Sequence, residues 1–181
     1  HVVCISFEKY HEGSQKGTST TGIALKGQKI LINTHALPIQ RTGRVTLIRG
    51  PKSQGINANI TFRLSENDIT CIENTDFSII TCRNMPPYAD ITQYFPSGDF
   101  NIKTKGRIIT RQKTGQLISR EILKAWRENG IRLGHLPHKM DCWECKVDCP
   151  TIHGDCGSMY ILNTAKGPVI AGIHIAGYDN T

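Results

Sequence analysis

The sequence predicts an all-β fold. Short runs rich in Val, Ile and Thr recur along the chain, and Gly, Asn, Pro and Ser separate them at the spacing typical of β-sandwiches and β-barrels. With 181 residues, 38% of them hydrophobic, the chain is long enough for one large domain or two smaller units with a real core. No apolar run approaches the length that a membrane span requires.

Ten strands are predicted directly from these runs. They cover residues 2–7, 22–25, 29–33, 44–49, 58–63, 69–72, 77–82, 107–111, 161–163 and 169–175. Proline and glycine pairs interrupt the middle of the chain, in "MPP" and "FPSG", where proline removes backbone donors from any ladder. A boundary between two sub-domains is therefore expected near residues 84–100.

The segment "GQLISREILKAWRENG" carries two conflicting signals. Its apolar residues recur near one helical face, which favours a helix. Turn pairs flank it, however, with Thr114-Gly115 before and Asn129-Gly130 after, and such pairs are typical of β-hairpins. We predict a long hairpin strand.

The cysteine content bears on the redox compartment of the protein, and its net charge bears on possible partners. The seven cysteines are an odd number, so at least one lies outside any complete disulfide framework. The chain opens with "HVVCISF", which reads as a strand and not as a secretory leader, so we expect the natural start upstream and a reducing compartment. The net charge of +7 is scattered, which is compatible with a nucleic-acid partner without requiring one.

The stretch "TIHGDCGSMY" sets Cys156 between two glycines and next to an acid. Such a cysteine is a packing residue, a metal ligand or a nucleophile. A nucleophile needs a base, a group that orients the base, and donors for the oxyanion. His35, at the end of the apolar run in "LINTHALP", is the candidate base, and the backbone amides of Gly154 and Cys156 are the candidate oxyanion donors.

The candidate acid is Asp76, which begins the apolar run in "NTDFSIITC". An acid at that strand end can orient a histidine by accepting a hydrogen bond from its Nδ1. Glu73, three residues upstream, competes for the role. The chain order histidine, acid, nucleophile is that of chymotrypsin and differs from the cysteine-first order of papain-like enzymes.

Five segments together carry a resemblance to a known family: "LINTHALP", "NTDFSIITC", "PPYADITQYF", "PTIHGDCGSMY" and "GPVIAGIHIAG". With them, the chain resembles the picornavirus-type 3C and 3C-like cysteine proteases over roughly residues 20–177. The resemblance implies a chymotrypsin-like double β-barrel of two six-stranded-type antiparallel barrels. The first, residues 1–90, would carry the catalytic His35 and Asp76, and the second, residues 91–181, would carry Cys156 and the S1 pocket.

The resemblance also implies a function. The expected activity is that of a cysteine endopeptidase that processes a viral polyprotein in the host cytoplasm by cutting after Gln or, less often, Glu. His174, in "GIHIAG", and Thr151 would bind the P1 side chain, since a neutral imidazole and a hydroxyl both donate to a carbonyl oxygen. No cofactor or metal is expected, and the family usually continues with a further strand and a helix beyond this segment.

Departures from the family pattern leave alternatives open. Position 147 is Val where the family often has a tyrosine that supports the S1 histidine, so the partner of His174 is not evident. The family's RNA-contact segment matches only in part at "YADI", with Ala89 in place of an arginine, and viral RNA remains a candidate partner. An RNA-binding module is therefore one alternative function.

The second alternative is a zinc-stabilised protease of the 2A type. Its basis is a set of residues with ligand chemistry at short spacings, including one C-x-x-C pair, which suits tetrahedral zinc. The set comprises His135, His138, Cys142, Cys145, Cys149 and His153. Reduced, partly buried thiols are the competing interpretation.

Overall fold

The structure is a computed structural model, and it describes residues 1–8, 18–38, 41–51, 59–96, 105–134, 136–149, 151–152 and 155–177. It confirms the all-β prediction: the described residues form twelve strands in two antiparallel sheets. The strands are β1 (Val2–Phe7), β2 (Ser19–Lys26), β3 (Lys29–Asn33), β4 (Gly43–Ile48), β5 (Asn59–Leu64), β6 (Ile69–Cys71), β7 (Phe77–Thr81), β8 (Gly106–Arg111), β9 (Leu117–Arg132), β10 (Lys139–Val147), β11 (Met159–Thr164) and β12 (Gly167–Ile173). Three-residue 3₁₀ turns lie at Thr34–Ala36, Glu66–Asp68 and Thr92–Tyr94. None of the described helical turns is long or apolar enough to cross a membrane.

The first sheet has the strand order β5-β4-β1-β2-β3-β7-β6, and the second has the order β10-β9-β8-β11-β12. All pairings between these strands are antiparallel. The first sheet ends at Thr81 and the second begins at Gly106, on either side of the proline-containing segment. The domain boundary at residue 90 stays a prediction.

In the described part of the chain, three clusters of buried apolar side chains stabilise the sheets. The largest belongs to the first sheet and includes the fully buried Ile5, Ile32 and Leu47. Alternate residues of a strand face the same side, so β1, β3 and β4, which carry these residues, each contribute more than one residue to it. A small cluster fills the second sheet around Ile108, Ile122 and Leu162.

The remaining cluster joins the two sheets. Val2 and Ile23 of the first sheet pack in it with Met159 and Ile173 of the second. Burial of this apolar surface favours close contact between the sheets, at about 25 cal/mol per Å² removed from water. Since β3 and β12 both end next to this cluster, the segments that follow them meet where the sheets adjoin.

The segment with conflicting signals is a strand. β9 runs for 16 residues and pairs with β8 on one side and β10 on the other, so the hairpin interpretation is confirmed. Gly115 has a φ of 90° in the turn before β9, as the Thr114-Gly115 pair predicted. The Asn129-Gly130 pair, however, lies inside β9 and does not end it: Gly130 has a φ of 66° where the pairing with β10 is irregular. β10 was not among the strands predicted from apolar runs.

Candidate active site

His35 and Asp76 meet at the ends of two paired strands. β3 ends at Asn33, opposite Phe77 at the start of β7, so the residues that follow and precede these positions are neighbours. Asp76 is 1% exposed, and its Oδ2 lies 2.5 Å from His35 Nδ1. The backbone N–H of His35 also donates to Asp76 Oδ1 at 2.9 Å. The carboxylate thus fixes both the backbone and the ring of the histidine.

The charge on His35 follows from this arrangement. Hydrogen bonds to Asp76 and then to Cys156 raise the pKa of His35 to about 9, against an opposing effect of burial. The ring is therefore protonated at neutral pH. Glu73, the competing acid, lies on an exposed turn, whereas Asp76 contacts the ring directly.

Asn33 connects this pair to the second sheet. It is fully buried, and its Nδ2 donates to Asp76 Oδ2 and to the backbone oxygen of His174, both at 3.2 Å. One amide group therefore spans from the acid on the first sheet to the histidine at the end of β12.

Cys156 lies on a loop that docks against β2 of the first sheet. Its backbone oxygen accepts hydrogen bonds from the Thr21 N–H at 2.9 Å and from Thr20 Oγ1 at 2.8 Å. Gly157 has a φ of 79°, and a Cβ there would lie 1.8 Å from the Thr21 oxygen. Only glycine fits at this position, which explains the residue that follows the cysteine.

The amides beside Cys156 are already engaged. The Asp155 N–H donates to Ile152 O at 3.1 Å, and the Gly157 N–H donates to His174 O at 2.9 Å. Of the predicted oxyanion donors, Cys156 is placed between these two engaged amides. Gly154 lies outside the described residues.

Asp155 is buried and takes part in a salt bridge. Arg120, on β9, donates from Nη1 to Asp155 Oδ2 at 2.8 Å and from Nη2 to Oδ1 at 2.6 Å. Burial acts to raise the pKa of Asp155, but the hydrogen bonds from Arg120 and Ile152 outweigh it and hold that pKa below its usual value. The carboxylate beside the cysteine is therefore ionised and paired.

His174 is neutral and has a partner. It is 6% exposed, and burial lowers its pKa to about 4 although Asp155 nearby acts in the opposite direction. Its Nδ1 lies 2.7 Å from the Tyr160 hydroxyl, and the two rings are stacked. Burial raises the pKa of Tyr160, so this hydroxyl keeps its proton. Tyr160 is thus the hydrogen-bonding partner of His174.

Thr151 lies at the same end of β12 as His174. A Cβ at Gly177, three residues after the histidine, would lie 2.5 Å from Thr151 Oγ1. The hydroxyl thus borders the segment that continues from His174.

The cysteine and histidine cluster shows free thiols. All seven cysteines are unpaired in the structure. Cys142 and Cys145 lie on β10, and burial raises the pKa of both thiols, to about 12 for Cys145. Within the described ranges, no three His, Cys, Asp or Glu side chains come together as a metal site, and His135 and His153 lie outside those ranges.

The "YADI" segment is tied to the first sheet. Tyr88 forms an isolated bridge with Gly27, and Asp90 accepts hydrogen bonds from the N–H and the hydroxyl of Thr92. RNA binding there stays a prediction.

Three contributors to the site were missed by sequence reasoning. Tyr160 lies inside the quoted "TIHGDCGSMY", four residues after the cysteine, but nothing in the sequence tells which way its strand faces. Asn33 lies inside "LINTHALP", and its link to His174 depends on how the sheets pack. Arg120 is one of several charged residues on β9 and carries no local signal.

Comparisons with known proteins identify the fold. No protein-family model matches the sequence, and curated protein sequences give no match either. Among solved structures, the tobacco vein mottling virus protease is similar, with a TM-score of 0.63 at 16% identity over 99% of this chain and 72% of that one. The murine norovirus NS6 protease has a TM-score of 0.56 at 14% identity, over 90% and 81% of the two chains.

A bacterial structure is similar as well. The MamO protease domain of Magnetospirillum magneticum has a TM-score of 0.65 at 12% identity, over 99% of this chain and 85% of that one. The chain therefore has the chymotrypsin-like fold, and its structural neighbours include viral 3C-like cysteine proteases.

Proposed function

We propose that the protein is a cysteine endopeptidase that processes a viral polyprotein by cutting after glutamine. The observation that carries the proposal is the buried Asp76 carboxylate, which binds His35 Nδ1, and the pKa of the same ring is raised by Asp76 and by Cys156. These contacts support a base oriented by an acid, with Cys156 as the proposed nucleophile, on the fold that the neighbouring proteases share.

The chemistry follows from these positions. Cys156 Sγ attacks the scissile carbonyl carbon, a C–S bond forms, and the carbonyl electron pair moves to the oxygen. The amides of Cys156 and Gly154 are proposed to stabilise this oxyanion. The proton that the thiol gives up resides on His35, which passes it to the leaving amine as the C–N bond breaks.

The resulting thioester is then hydrolysed. His35 takes a proton from a water molecule, whose oxygen attacks the thioester carbonyl. The C–S bond breaks, and Cys156 leaves as the thiolate or takes the proton back. Asp76 stabilises the charged form of the ring in both halves of the cycle, and its full burial keeps that interaction out of water.

Selectivity for glutamine is proposed to come from His174. A phenol is a good donor, and the Tyr160 hydroxyl lies 2.7 Å from Nδ1, so the favoured tautomer carries its proton on Nε2. That N–H can donate to the side-chain oxygen of a P1 glutamine, with Thr151 as a second donor. A neutral ring offers no charge to a P1 glutamate, which favours the amide over the acid.

A peptide panel tests the proposal. Otherwise identical peptides with P1 Gln, Glu, Leu or Arg are incubated with the wild type, Cys156→Ala and His35→Ala. Rapid cleavage of the Gln peptide alone, lost in both variants, is the expected result. Cleavage that survives Cys156→Ala, or a preference for Leu or Arg, would contradict it.

Two expectations remain as proposals beside this one. The substrate is taken to be a viral polyprotein in the host cytoplasm because of the resemblance described above. RNA binding as a second role would appear as an affinity that falls with salt and survives Cys156→Ala.

A further inference from the structure

Arg120 forms a nearly buried ion pair that the proposed chemistry does not use. Its side chain is 13% exposed and that of Asp155 is 6% exposed. The two nitrogens of the guanidinium end donate to the two carboxylate oxygens, which is the bidentate geometry that arginine and a carboxylate favour. Asp155 directly precedes Cys156, so this pair acts on the backbone of the nucleophile.

The carboxylate of Asp155 also closes the turn that leads to the cysteine. Its Oδ2 accepts the Ile152 N–H at 2.7 Å, while the Asp155 N–H donates to Ile152 O. A rotation of the Asp155 side chain would therefore break the hydrogen bond that its carboxylate accepts from the Ile152 N–H and leave the turn held by the backbone bond alone. Arg120 is the charged partner that holds the side chain in this orientation.

A second connection runs from Arg120 to the other side of the cysteine. Its Nη2 donates to Thr110 Oγ1 at 3.3 Å, and Thr110 Oγ1 lies 2.6 Å from Ser158 Oγ. The Ser158 hydroxyl donates to Asp155 O at 2.6 Å. The guanidinium is thus bonded directly to the side chain of Asp155 and is linked to its carbonyl oxygen through the hydroxyls of Thr110 and Ser158. That carbonyl belongs to the same peptide group as the Cys156 N–H, so these bonds fix the orientation of the N–H.

Electrostatics give the pair a further consequence. An unpaired carboxylate next to Cys156 would repel the thiolate and the oxyanion, and burial would make that repulsion stronger than in water. The positive charge of Arg120 offsets it. Loss of the charge would therefore destabilise the negatively charged transition state more than it would lower the affinity for a neutral peptide.

We propose that Arg120 is a positioning residue of the active site: its salt bridge to Asp155 orients the peptide between Asp155 and Cys156 so that the Cys156 N–H points at the oxyanion. This inference rests on the proposed function. On this inference, Arg120 contributes to stabilisation of the transition state, and other residues bind the peptide.

The test compares Arg120→Gln with Arg120→Lys and with a control on the same sheet. Arg107 on β8 is the control, since it is exposed and donates to the single hydroxyl Ser119 Oγ at 2.8 Å. Arg120→Gln removes the charge and the fork, whereas Arg120→Lys keeps the charge and loses only the fork. For each variant, kcat and KM on the P1 Gln peptide, the rate of Cys156 alkylation by iodoacetamide and the melting temperature are measured.

The expected result separates positioning from folding. Arg120→Gln should lower kcat about 100-fold, the scale for losing one oxyanion donor, with KM little changed. Affinity for a peptide aldehyde, whose hemithioacetal oxygen occupies the oxyanion position, should fall by the same factor. Arg120→Lys should retain part of the wild-type kcat, and Arg107→Gln should have the kcat of the wild type. In folded Arg120→Gln, the rate of Cys156 alkylation should fall much less than kcat does.

Three results would overturn the inference. These are an unchanged kcat in folded Arg120→Gln, a loss that Arg107→Gln reproduces, and a loss that the unfolded fraction accounts for completely. An inactive wild type would contradict the proposed function itself. An active wild type with an equally active Arg120→Gln would contradict the positioning role alone.

Discussion

Removal of the Tyr160 hydroxyl tests the proposed origin of the preference for a P1 glutamine. In Tyr160→Phe the ring remains, so stacking on His174 is kept while the 2.7 Å hydrogen bond to Nδ1 is lost. Without that donor, Nδ1 of the buried imidazole has no hydrogen-bond donor, or the proton moves from Nε2 to Nδ1. In the second tautomer, Nε2 can no longer donate to the P1 side chain. Leaving a buried polar group unpaired costs about 1–3 kcal/mol.

The magnitude follows from that range. At 1.36 kcal/mol for each tenfold change in rate, kcat/KM on the P1 Gln peptide should fall about 5- to 160-fold. Cleavage of a P1 Leu peptide uses no such donor and should be unaffected, so the Gln/Leu ratio should fall by the same factor. Steady-state kinetics on both peptides measure this ratio.

A matched control separates the hydroxyl from general effects of the substitution. Tyr94 is 51% exposed, so Tyr94→Phe should leave both peptides unaffected. Equal losses on the Gln and Leu peptides, or no loss on the Gln peptide, would refute the reasoning about the tautomer of His174.

Further predictions concern the acid, the pH dependence and the core. Asp76→Asn should lower kcat about 10⁴-fold, as the loss of the orienting acid does in a serine triad, whereas Glu73→Gln should be silent in the same kinetic assay. The pH profile of kcat/KM should fall with an apparent pKa of about 9, when His35 loses the proton that the leaving amine needs, and a profile flat through that pH would be inconsistent with this role. Because folding raises the pKa of His35 from 6.5 to about 9, the stabilisation from its pairing is fully present below pH 6.5 and is lost as pH rises through 9, so the difference in unfolding free energy between wild type and His35→Gln should shrink over that interval. Leu162→Ala, at a fully buried position, should cost about 2–5 kcal/mol in urea denaturation.

Most of the fold was predictable because strand signals are local. Apolar runs bounded by turn residues located ten strands, and the pair Thr114-Gly115 correctly marked the turn before β9, whereas Asn129-Gly130 marks an irregularity inside that strand and not its end. The bounds shifted where tertiary contacts intervene: β2 begins at Ser19, and not at residue 22, because Thr20 and Thr21 are buried under the loop of Cys156. The apolar-run signal did not locate β10 because its sequence, "KMDCWECKV", is charged and rich in cysteine, and it forms a strand by pairing with β9.

The residues of the candidate site likewise differ in whether local sequence motifs could predict them. His35, Asp76 and Cys156 were proposed from short motifs; the structure joins His35 to Asp76 by hydrogen bonds, and the pKa of His35 responds to Cys156 as well. Arg120 and Tyr160 depend on which strands are neighbours and which faces they share, and no single segment contains that information. The resemblance suggested a tyrosine at position 147, but the strand pairing supplies one from β11.

The identity of the nucleophile is the central claim, and seven free cysteines make it open to direct test. The most direct measurement is mass spectrometry of the protein quenched in acid during turnover of a P1 Gln peptide ester. The account predicts an acyl adduct on Cys156 that is absent from Cys156→Ala and does not accumulate in His35→Ala. An adduct on another cysteine, or turnover by Cys156→Ala at the wild-type rate, would contradict it.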